Sequence, residues 1–210
     1  MYFLQIVRLS SGEILGTTAI CVNNVTHASS AGSPPKATSL ALYRSNDGGW
    51  TFRFVTLVAD ARDYEWSYYG PGSEHSIAVL SDGKTLMVAN RFDGNQGCGS
   101  QVAPAGDKPL TTTSHYTEYH VQFSSDAGNS WSKATALPHM GCARPRLLML
   151  GNGKGPLLLA GGRDCVAAEN ATDVALFIWV NPDGMGGYQH QHSRNIGVSS
   201  LASCTTVWRE

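Results

Sequence analysis

Two short segments of the sequence place a carboxylate, a glycine, a hydroxyl and an aromatic ring at the same spacing. Residues 45–52 and 124–131 both read Ser-x-Asp-x-Gly-x-(Ser/Thr)-aromatic. The Asp can accept hydrogen bonds from backbone N–H groups of its own loop, and the Gly can adopt a positive φ without steric cost. This spacing predicts a hairpin turn that is held by hydrogen bonds to the Asp. A looser third copy spans 181–188, where Tyr188 stands five residues after Asp183 but the hydroxyl is missing.

Other groupings of reactive side chains are weaker. His190 and His192 have the i, i+2 spacing that puts two imidazoles on one strand face, as a metal pair would require. No acidic or cysteine partner stands nearby, and a polar loop is the alternative. The five cysteines show no zinc-type spacing, and the sequence contains neither a nucleophile elbow nor a phosphate-binding loop. No metal and no cofactor is therefore predicted.

The elements that must position these residues are short strands. No segment shows an apolar period of 3.6 residues over four turns, while apolar runs alternate with Gly, Asp and Asn clusters. The 23 glycines and the low charged fraction of 15% suit many strands joined by tight turns. Strands are predicted at 4–9, 14–22, 39–43, 52–57, 75–80, 85–90, 120–123, from Trp131 onward, and at 144–150, 156–160 and 174–180. The predicted fold class is all-β.

A hairpin with an Asp-Gly turn, followed by a hairpin with the Ser-x-Asp turn, forms a unit that recurs along the chain. Repeated sheet units favour a β-propeller, with a sandwich or a β-solenoid as alternatives. Typical blades have about 40–50 residues, so the chain would hold about four to five. Residues 1–210 are therefore interpreted as a single propeller domain that is incomplete.

Charge and hydropathy limit the kinds of partner and the cellular location that the sequence predicts. The formal net charge of −1 argues against a nucleic-acid partner, which would need a basic face. No apolar run is long enough for a membrane-spanning helix, and the first residues resemble a strand rather than a signal peptide. Sequons at Asn24 and Asn170 modestly favour a secreted or lumenal protein, but the sequence does not assign the compartment.

The repeated turns resemble the Asp boxes of the sialidase (neuraminidase) superfamily, whose domains are six-bladed β-propellers. The segment 73–91 is similar to that family's pattern of Glu, apolar strand, Asp-Gly turn, apolar strand and Asn-x-Arg. The resemblance extends over roughly residues 2–190. It implies a glycoside hydrolase acting on terminal sialic acids of glycoconjugates. The implied partner is a sialylated glycan or another small anionic sugar.

The resemblance also implies roles for individual residues. Sialidases use a tyrosine nucleophile, and a phenol needs a neighbouring carboxylate to take its proton. Guanidinium groups bind the sugar carboxylate in two-pronged fashion. Glu74 would be the general base, and Arg91 would be one member of a carboxylate-binding arginine triad. Arg163 is the preferred third arginine, with Arg144 and Arg146 as rivals.

The sequence departs from the family at three places. Phe3 stands where the first triad arginine is expected, and no Asp or Glu occurs between Ile14 and Asn46 to act as the acid. Asp60 and Asp63 lie beyond the first turn and would need an unusual loop path. No tyrosine occurs in 199–208, where the nucleophile is expected.

Three hypotheses follow. The chain belongs to a sialidase-like hydrolase whose missing groups lie on flanking sequence, it is a propeller that binds a carbohydrate or protein without cleaving it, or it is a fragment that does not fold stably alone.

Overall fold

The computed structural model describes residues 5–26, 36–64, 71, 74–93, 116–141, 144–161, 163–164 and 177–187. The all-β prediction is confirmed. The strands are β1 (Gln5–Arg8), β2 (Ile14–Thr26), β3 (Lys36–Ser45), β4 (Arg53–Ala59), β5 (Glu74–Val79), β6 (Leu86–Asp93), β7 (Tyr116–Ser124), β8 (Thr135–Gly141), β9 (Arg146–Met149), β10 (Leu157–Gly161), β11 (Arg163–Asp164) and β12 (Phe177–Asn181). Short 3-10 turns occupy Ala61–Asp63 and Gly151–Gly153. No helical segment in these ranges has the length and apolar character needed to cross a membrane.

Each strand expected from the sequence has a counterpart, but several boundaries were wrong: β2, β3 and β7 are longer than predicted. β8 begins at Thr135 and not at Trp131. The Trp131 indole N–H donates to the carbonyl of Gly128 at 3.2 Å, and its ring packs against an apolar cluster between sheets. Trp131 therefore completes the turn before the strand starts. The two-residue strand β11 was not predicted.

The strands form three antiparallel sheets. Sheet 1 has the order β1-β2-β3-β4, sheet 2 the order β11-β8-β7-β6-β5, and sheet 3 the order β12-β10-β9. Sheet 1 and the four strands β5 to β8 are simple meanders, as in propeller blades. The described part of the chain thus contains three sheets, where about four to five blades were expected from length alone.

Two apolar cores join the sheets face to face. The core between sheets 1 and 2 includes Leu15, Leu40, Leu42, Ile77, Leu86 and Val88. The core between sheets 2 and 3 includes Met87, Ala89, Tyr119, Leu157, Leu159 and Trp179. Strand β6 contributes to both because successive side chains of a strand point to opposite faces. Sheet 2 is therefore the middle layer of the stack.

The two ends of the stacked sheets differ. Short turns between β1 and β2, β3 and β4, β5 and β6, β7 and β8, and β9 and β10 share one end, which we call the turn end. Arg44 at the end of β3 donates to the carbonyl of Ala127 at 2.7 Å, and the Ser81 hydroxyl donates to the carbonyl of Asp183 at 2.8 Å. These contacts align the turn ends of all three sheets. At the opposite end, which we call the far end, β5, β7 and β9 start and β6, β8 and β10 finish.

Candidate functional site

The first repeated turn is held by its own side chains. The Ser45 hydroxyl donates to Asp47 Oδ1 at 2.8 Å and accepts from the Gly49 N–H at 2.8 Å. The backbone N–H and the hydroxyl of Thr51 donate to the two oxygens of Asp47 at 2.9 and 2.6 Å. Gly49 has φ +97°. The sequence therefore folds here as the spacing predicts.

The second repeated turn has the same geometry. Ser124 donates to Asp126 at 2.8 Å and accepts from the N–H of Gly128 at 2.8 Å, and the Ser130 hydroxyl reaches Asp126 at 2.6 Å. Hydrogen bonds from Ser130 and Ser124 lower the pKa of Asp126 to about 2. A carboxylate that stays ionised and fully engaged with its own loop is a structural group and a poor acid.

The Asp-Gly turn at 81–84, which was predicted from the sequence, has related chemistry. Between β5 and β6, the backbone N–H groups of Lys84 and Thr85 donate to Asp82 Oδ1 at 2.9 and 2.8 Å, and the Thr85 hydroxyl donates to Oδ2 at 2.6 Å. In the looser copy at 181–188, the side chain of Asn181 closes the loop. Its Oδ1 accepts from the N–H of Gly186 and its Nδ2 donates to the carbonyl of Gly187, each at 2.9 Å. All these turns lie at the turn end.

The far end carries a cluster of one carboxylate and two guanidinium groups. Glu74 starts β5 and pairs directly with Arg91 across the sheet. Arg91 Nη1 donates to Glu74 Oε2 at 2.5 Å. The backbone N–H of Arg144 donates to the same oxygen at 2.9 Å, and Arg144 Nε donates to Oε1 at 3.2 Å. The cluster thus gathers residues from two strands and from the segment before β9.

The cluster lies at the boundary between protein and solvent. The side chains of Glu74 and Arg91 are 23% and 15% exposed, whereas that of Arg144 is 75% exposed. Among the described residues, the terminal nitrogens of Arg144 have no partner. Two guanidinium groups thus donate to one carboxylate. The cluster can therefore accept an anion from solvent in the two-pronged manner of guanidinium–carboxylate pairs.

The charge state of Glu74 follows from its neighbours. Burial raises the pKa of Glu74, but the hydrogen bonds and charges of Arg91 and Arg144 outweigh burial and hold the pKa below its usual range. A general base works best with a pKa near the working pH. The role of Glu74 as a base stays a prediction, and the two guanidinium groups weigh against it.

Neighbouring sheets fix the position of β5. His75 Nε2 and Thr17 Oγ1, both buried, lie 2.8 Å apart and connect β5 to β2. The Ser76 hydroxyl accepts from the backbone N–H of Leu147 at 3.0 Å and connects β5 to β9. Strand β5 is an edge strand of sheet 2 and lies between β1 of sheet 1 and β9 of sheet 3. Glu74 therefore lies at that edge of the middle sheet.

Arg144 was the rejected rival in the sequence, and the structure brings it to Glu74. It has φ +41°, in the left-handed region, and directly precedes the buried Pro145. This backbone conformation aims both the N–H and the side chain of Arg144 at one carboxylate. Arg146 instead donates to the carbonyl of Pro145 at 3.0 Å. The Arg-Pro pair at the start of a strand is the one local signal that could have favoured Arg144.

The preferred third arginine, Arg163, lies on β11, where it pairs with Gly141 at the far end. Strands β8, β7 and β6 separate β11 from β5 within sheet 2. Nothing is described of the Arg163 side chain, so its role stays a prediction. Phe3, the pair His190 and His192, and the segment 199–208 lie outside the described residues.

The two candidate acids beyond the first turn have other roles. Asp60 follows β4, the outermost strand of sheet 1, and accepts from the backbone N–H of Arg62 at 3.0 Å as well as from its guanidinium group. Hydrogen bonds from Arg62 lower the pKa of Asp60. Asp63 is exposed. Both lie beside the outer strand β4 of sheet 1, whereas Glu74 starts β5 in sheet 2.

A cavity of about 550 Å³ lies between the outer strands of sheets 1 and 2. Tyr64, Trp131, Lys133 and Asp60 are among its lining residues, and the Glu74 cluster is not. Within the described ranges, no group of three or more His, Cys, Asp or Glu side chains could hold a metal ion. The cavity is lined by the carboxylates of Asp60 and Asp63 and by one cation, Lys133, so the Glu74 cluster is the better candidate site for an anionic ligand.

Comparison with known proteins identifies the fold. No family model matches the sequence, and no curated protein matches it. Among solved structures, an α-L-arabinanase of Penicillium chrysogenum complexed with arabinobiose matches with a TM-score of 0.52 and 19% identity, over 85% of this chain and 45% of that chain. The GH93 α-L-arabinofuranosidase of Fusarium graminearum matches with a TM-score of 0.50 and 20% identity, over 85% and 44%.

A third solved structure that matches the chain is a sialidase. The NanB sialidase of Streptococcus pneumoniae matches with a TM-score of 0.52 and 13% identity, over 95% of this chain and 44% of that chain. At such identities the likeness shows the fold alone. The chain has an all-β, β-propeller fold, and it spans less than half the length of the propeller glycosidases that it matches.

Proposed function

We propose that the chain is part of a sialidase-like, glycosidase-type propeller that binds the carboxylate of an acidic sugar, with a terminal sialic acid as the best candidate. The observation that carries this proposal is the cluster of Arg91 and Arg144 on Glu74 at the far end of the middle sheet. A carboxylate on the sugar would meet a guanidinium group that is already positioned by Glu74.

The contacts of Arg144 decide which of its nitrogens can bind a ligand. Glu74 accepts a hydrogen bond from Nε of Arg144, whose side chain is 75% exposed, so a ligand can reach the terminal nitrogens. A ligand carboxylate would add charge-assisted hydrogen bonds to them. Glu74 would then act as a positioning residue for the arginines. Its low pKa keeps it ionised in that role at neutral pH.

A second candidate function is hydrolysis of the sialoside. The likeness of the fold to propeller glycosidases favours it, and so does the resemblance of residues 73–91 to the sialidase pattern. The sequence offers no tyrosine or acidic residue in the places where the family resemblance expects them. We therefore expect no turnover of a fluorogenic sialoside above background by this chain. Measurable cleavage that Glu74→Gln abolishes would establish the hydrolase instead.

The binding proposal is tested with 3′-sialyllactose, lactose and arabinobiose as probes in calorimetric titrations. Sialyllactose should bind while the two neutral sugars should not. Arg144→Ala should weaken sialyllactose binding roughly 10- to 100-fold, because a hydrogen bond to a charged group contributes about 1.5–3 kcal/mol.

The matched control is Arg62→Ala, which removes an exposed arginine of the 3-10 turn after β4 that is paired with Asp60. This variant should bind sialyllactose as the wild type does. Equal weakening by Arg62→Ala and Arg144→Ala would indicate a general charge effect. Binding of arabinobiose with the same affinity as sialyllactose would refute carboxylate recognition.

A further inference from the structure

The cavity of about 550 Å³ between the outer strands of sheets 1 and 2 has a buried floor and an exposed rim. The lining residues Val58, Ala59 and Gln122 are buried and form the floor. The lining residues Asp63 and Lys133 are exposed and form part of the rim. Its volume lies within the range of about 300–1,000 Å³ that is usual for ligand pockets. The cavity is therefore a pocket that a small molecule can enter from solvent.

One buried side chain holds the floor of this pocket in place. The Gln122 amide donates to the carbonyl of Val58 at 2.7 Å and to the carbonyl of Ser132 at 3.0 Å. Its Oε1 accepts from the amide of Asn90 at 3.1 Å. Gln122 thus connects β4 of sheet 1 with the segment before β8 of sheet 2, and both of its N–H groups are used within the protein. The floor is therefore preformed and offers a ligand mainly apolar surface.

Two aromatic rings line the same pocket. Tyr64 and Trp131 pack on the apolar core between sheets 1 and 2 and also contribute to the pocket lining. The Tyr64 ring lies against the ring of Phe92, with centroids 4.8 Å apart. The indole N–H of Trp131 donates to the carbonyl of Gly128 at 3.2 Å. These contacts hold both rings, so the ring surface that lines the pocket can cover an apolar group of a ligand.

The rim carries two opposite charges that are available to a ligand. Within the part of the chain that the structure describes, neither the Asp63 carboxylate nor the Lys133 ammonium group has an ion pair or a side-chain hydrogen bond. The third charged group of the lining, Asp60, is instead paired with the guanidinium group of Arg62. Asp63 can therefore accept from an ammonium group of a ligand, and Lys133 can donate to a carboxylate.

We propose that this pocket binds a zwitterionic small molecule of the amino acid class. The ammonium group of the ligand pairs with Asp63, its carboxylate pairs with Lys133, and its apolar side chain lies against Tyr64 and Trp131 above the apolar floor. A simple anion would meet the charge of Asp63, and a simple cation would meet the charge of Lys133, so a ligand that carries both charges suits the rim best. The Glu74 cluster does not line this pocket, so sialoside binding at that cluster neither supports nor excludes the second site.

The test titrates the chain calorimetrically with three related probes: L-phenylalanine, phenethylamine, which lacks the carboxylate, and phenylpropionate, which lacks the ammonium group. Phenylalanine should bind at least about 5-fold more tightly than either of the others, because each missing charge leaves one group of the rim without a partner. Asp63→Asn should weaken the binding of phenylalanine and phenethylamine but not that of phenylpropionate. Lys133→Met should weaken the binding of phenylalanine and phenylpropionate but not that of phenethylamine. Both side chains are exposed, so neither change removes a buried contact.

Two control variants locate the binding. Lys154→Met removes an exposed lysine at the turn end of sheet 3 and should change the affinity for none of the probes. Arg144→Ala removes a guanidinium group of the Glu74 cluster that could capture a probe carboxylate, and phenylalanine should bind this variant as it binds the wild type.

Several results would overturn the proposal. These are no binding of phenylalanine, equal binding of all three probes, an affinity for phenylalanine that Asp63→Asn and Lys133→Met leave unchanged, and a loss of phenylalanine binding in Arg144→Ala. Binding of lactose that Asp63→Asn weakens, with no binding of phenylalanine, would assign the pocket to a neutral sugar instead.

Discussion

Gly161 ends β10 directly against a buried aromatic ring. A Cβ built at this position would lie 2.1 Å from Tyr119 Oη and 2.9 Å from two ring carbons. Tyr119 is fully buried, and its ring contacts Trp179 edge to face with centroids 6.1 Å apart. The ring therefore cannot swing into solvent to make room for a methyl group.

The size of the effect follows from these distances. Non-bonded atoms sit at roughly 3.5–4.0 Å, so Gly161→Ala forces β10 or Tyr119 to move by more than an ångström. Overpacking of this kind costs about 1–3 kcal/mol. For a chain of this length, the melting temperature falls by roughly 2–4 °C per kcal/mol.

The assay is urea unfolding followed by tryptophan fluorescence. The control is Gly187→Ala, because Gly187 has open space where the Cβ would stand and no positive φ. That change should alter the unfolding free energy by less than about 1 kcal/mol.

A second arm examines the atom responsible. Tyr119→Phe removes the closest atom, so the double variant with Gly161→Ala should recover at least about 0.5 kcal/mol relative to the sum of the single changes. Gly161→Ala with the stability of Gly187→Ala, or a double variant with no coupling, would refute the packing argument.

Two further predictions concern the second turn and the far-end cluster. Ser124→Ala should cost about 1–3 kcal/mol in thermal unfolding, because it leaves the buried N–H of Gly128 without its acceptor, and an unchanged melting temperature would contradict this. The pKa of Glu74 is lowered from 4.5, so its ion pairs stabilise the fold above about pH 4.5 and this contribution is lost as the pH falls through the folded-state pKa. Glu74→Gln should flatten that part of the stability profile between neutral and acidic pH, and identical profiles for wild type and variant would show that Glu74 makes no such contribution.

The repeated turns could be predicted from sequence because every interaction in them is local. Asp47 finds its partners within four residues, so eight residues contain the full hydrogen-bond pattern. The pairing of Glu74 with Arg91 could also have been found. Counting outward from the Asp-Gly turn at 81–84 aligns the two residues across the hairpin. Local signals of this kind gave the strands and the antiparallel order within each meander.

Arg144 could not be selected in the same way. Seventy positions separate it from Glu74, and the contact depends on how sheet 3 packs on sheet 2. The sequence alone favoured Arg163, whose backbone lies at the far end but on the opposite edge of sheet 2. The pKa of Glu74 has the same origin, since its direction depends on both guanidinium groups.

By itself, the sequence determined the all-β class, the short strands and the turns that hold the carboxylates of Asp47 and Asp126, because residue spacing and turn chemistry act over a few positions. Only the tertiary structure decided that the repeated turns and the Glu74 cluster lie at opposite ends of the sheets. It also decided that Arg144 completes that cluster. These features depend on contacts between separate sheets, which packing of distant segments creates and local spacing does not encode.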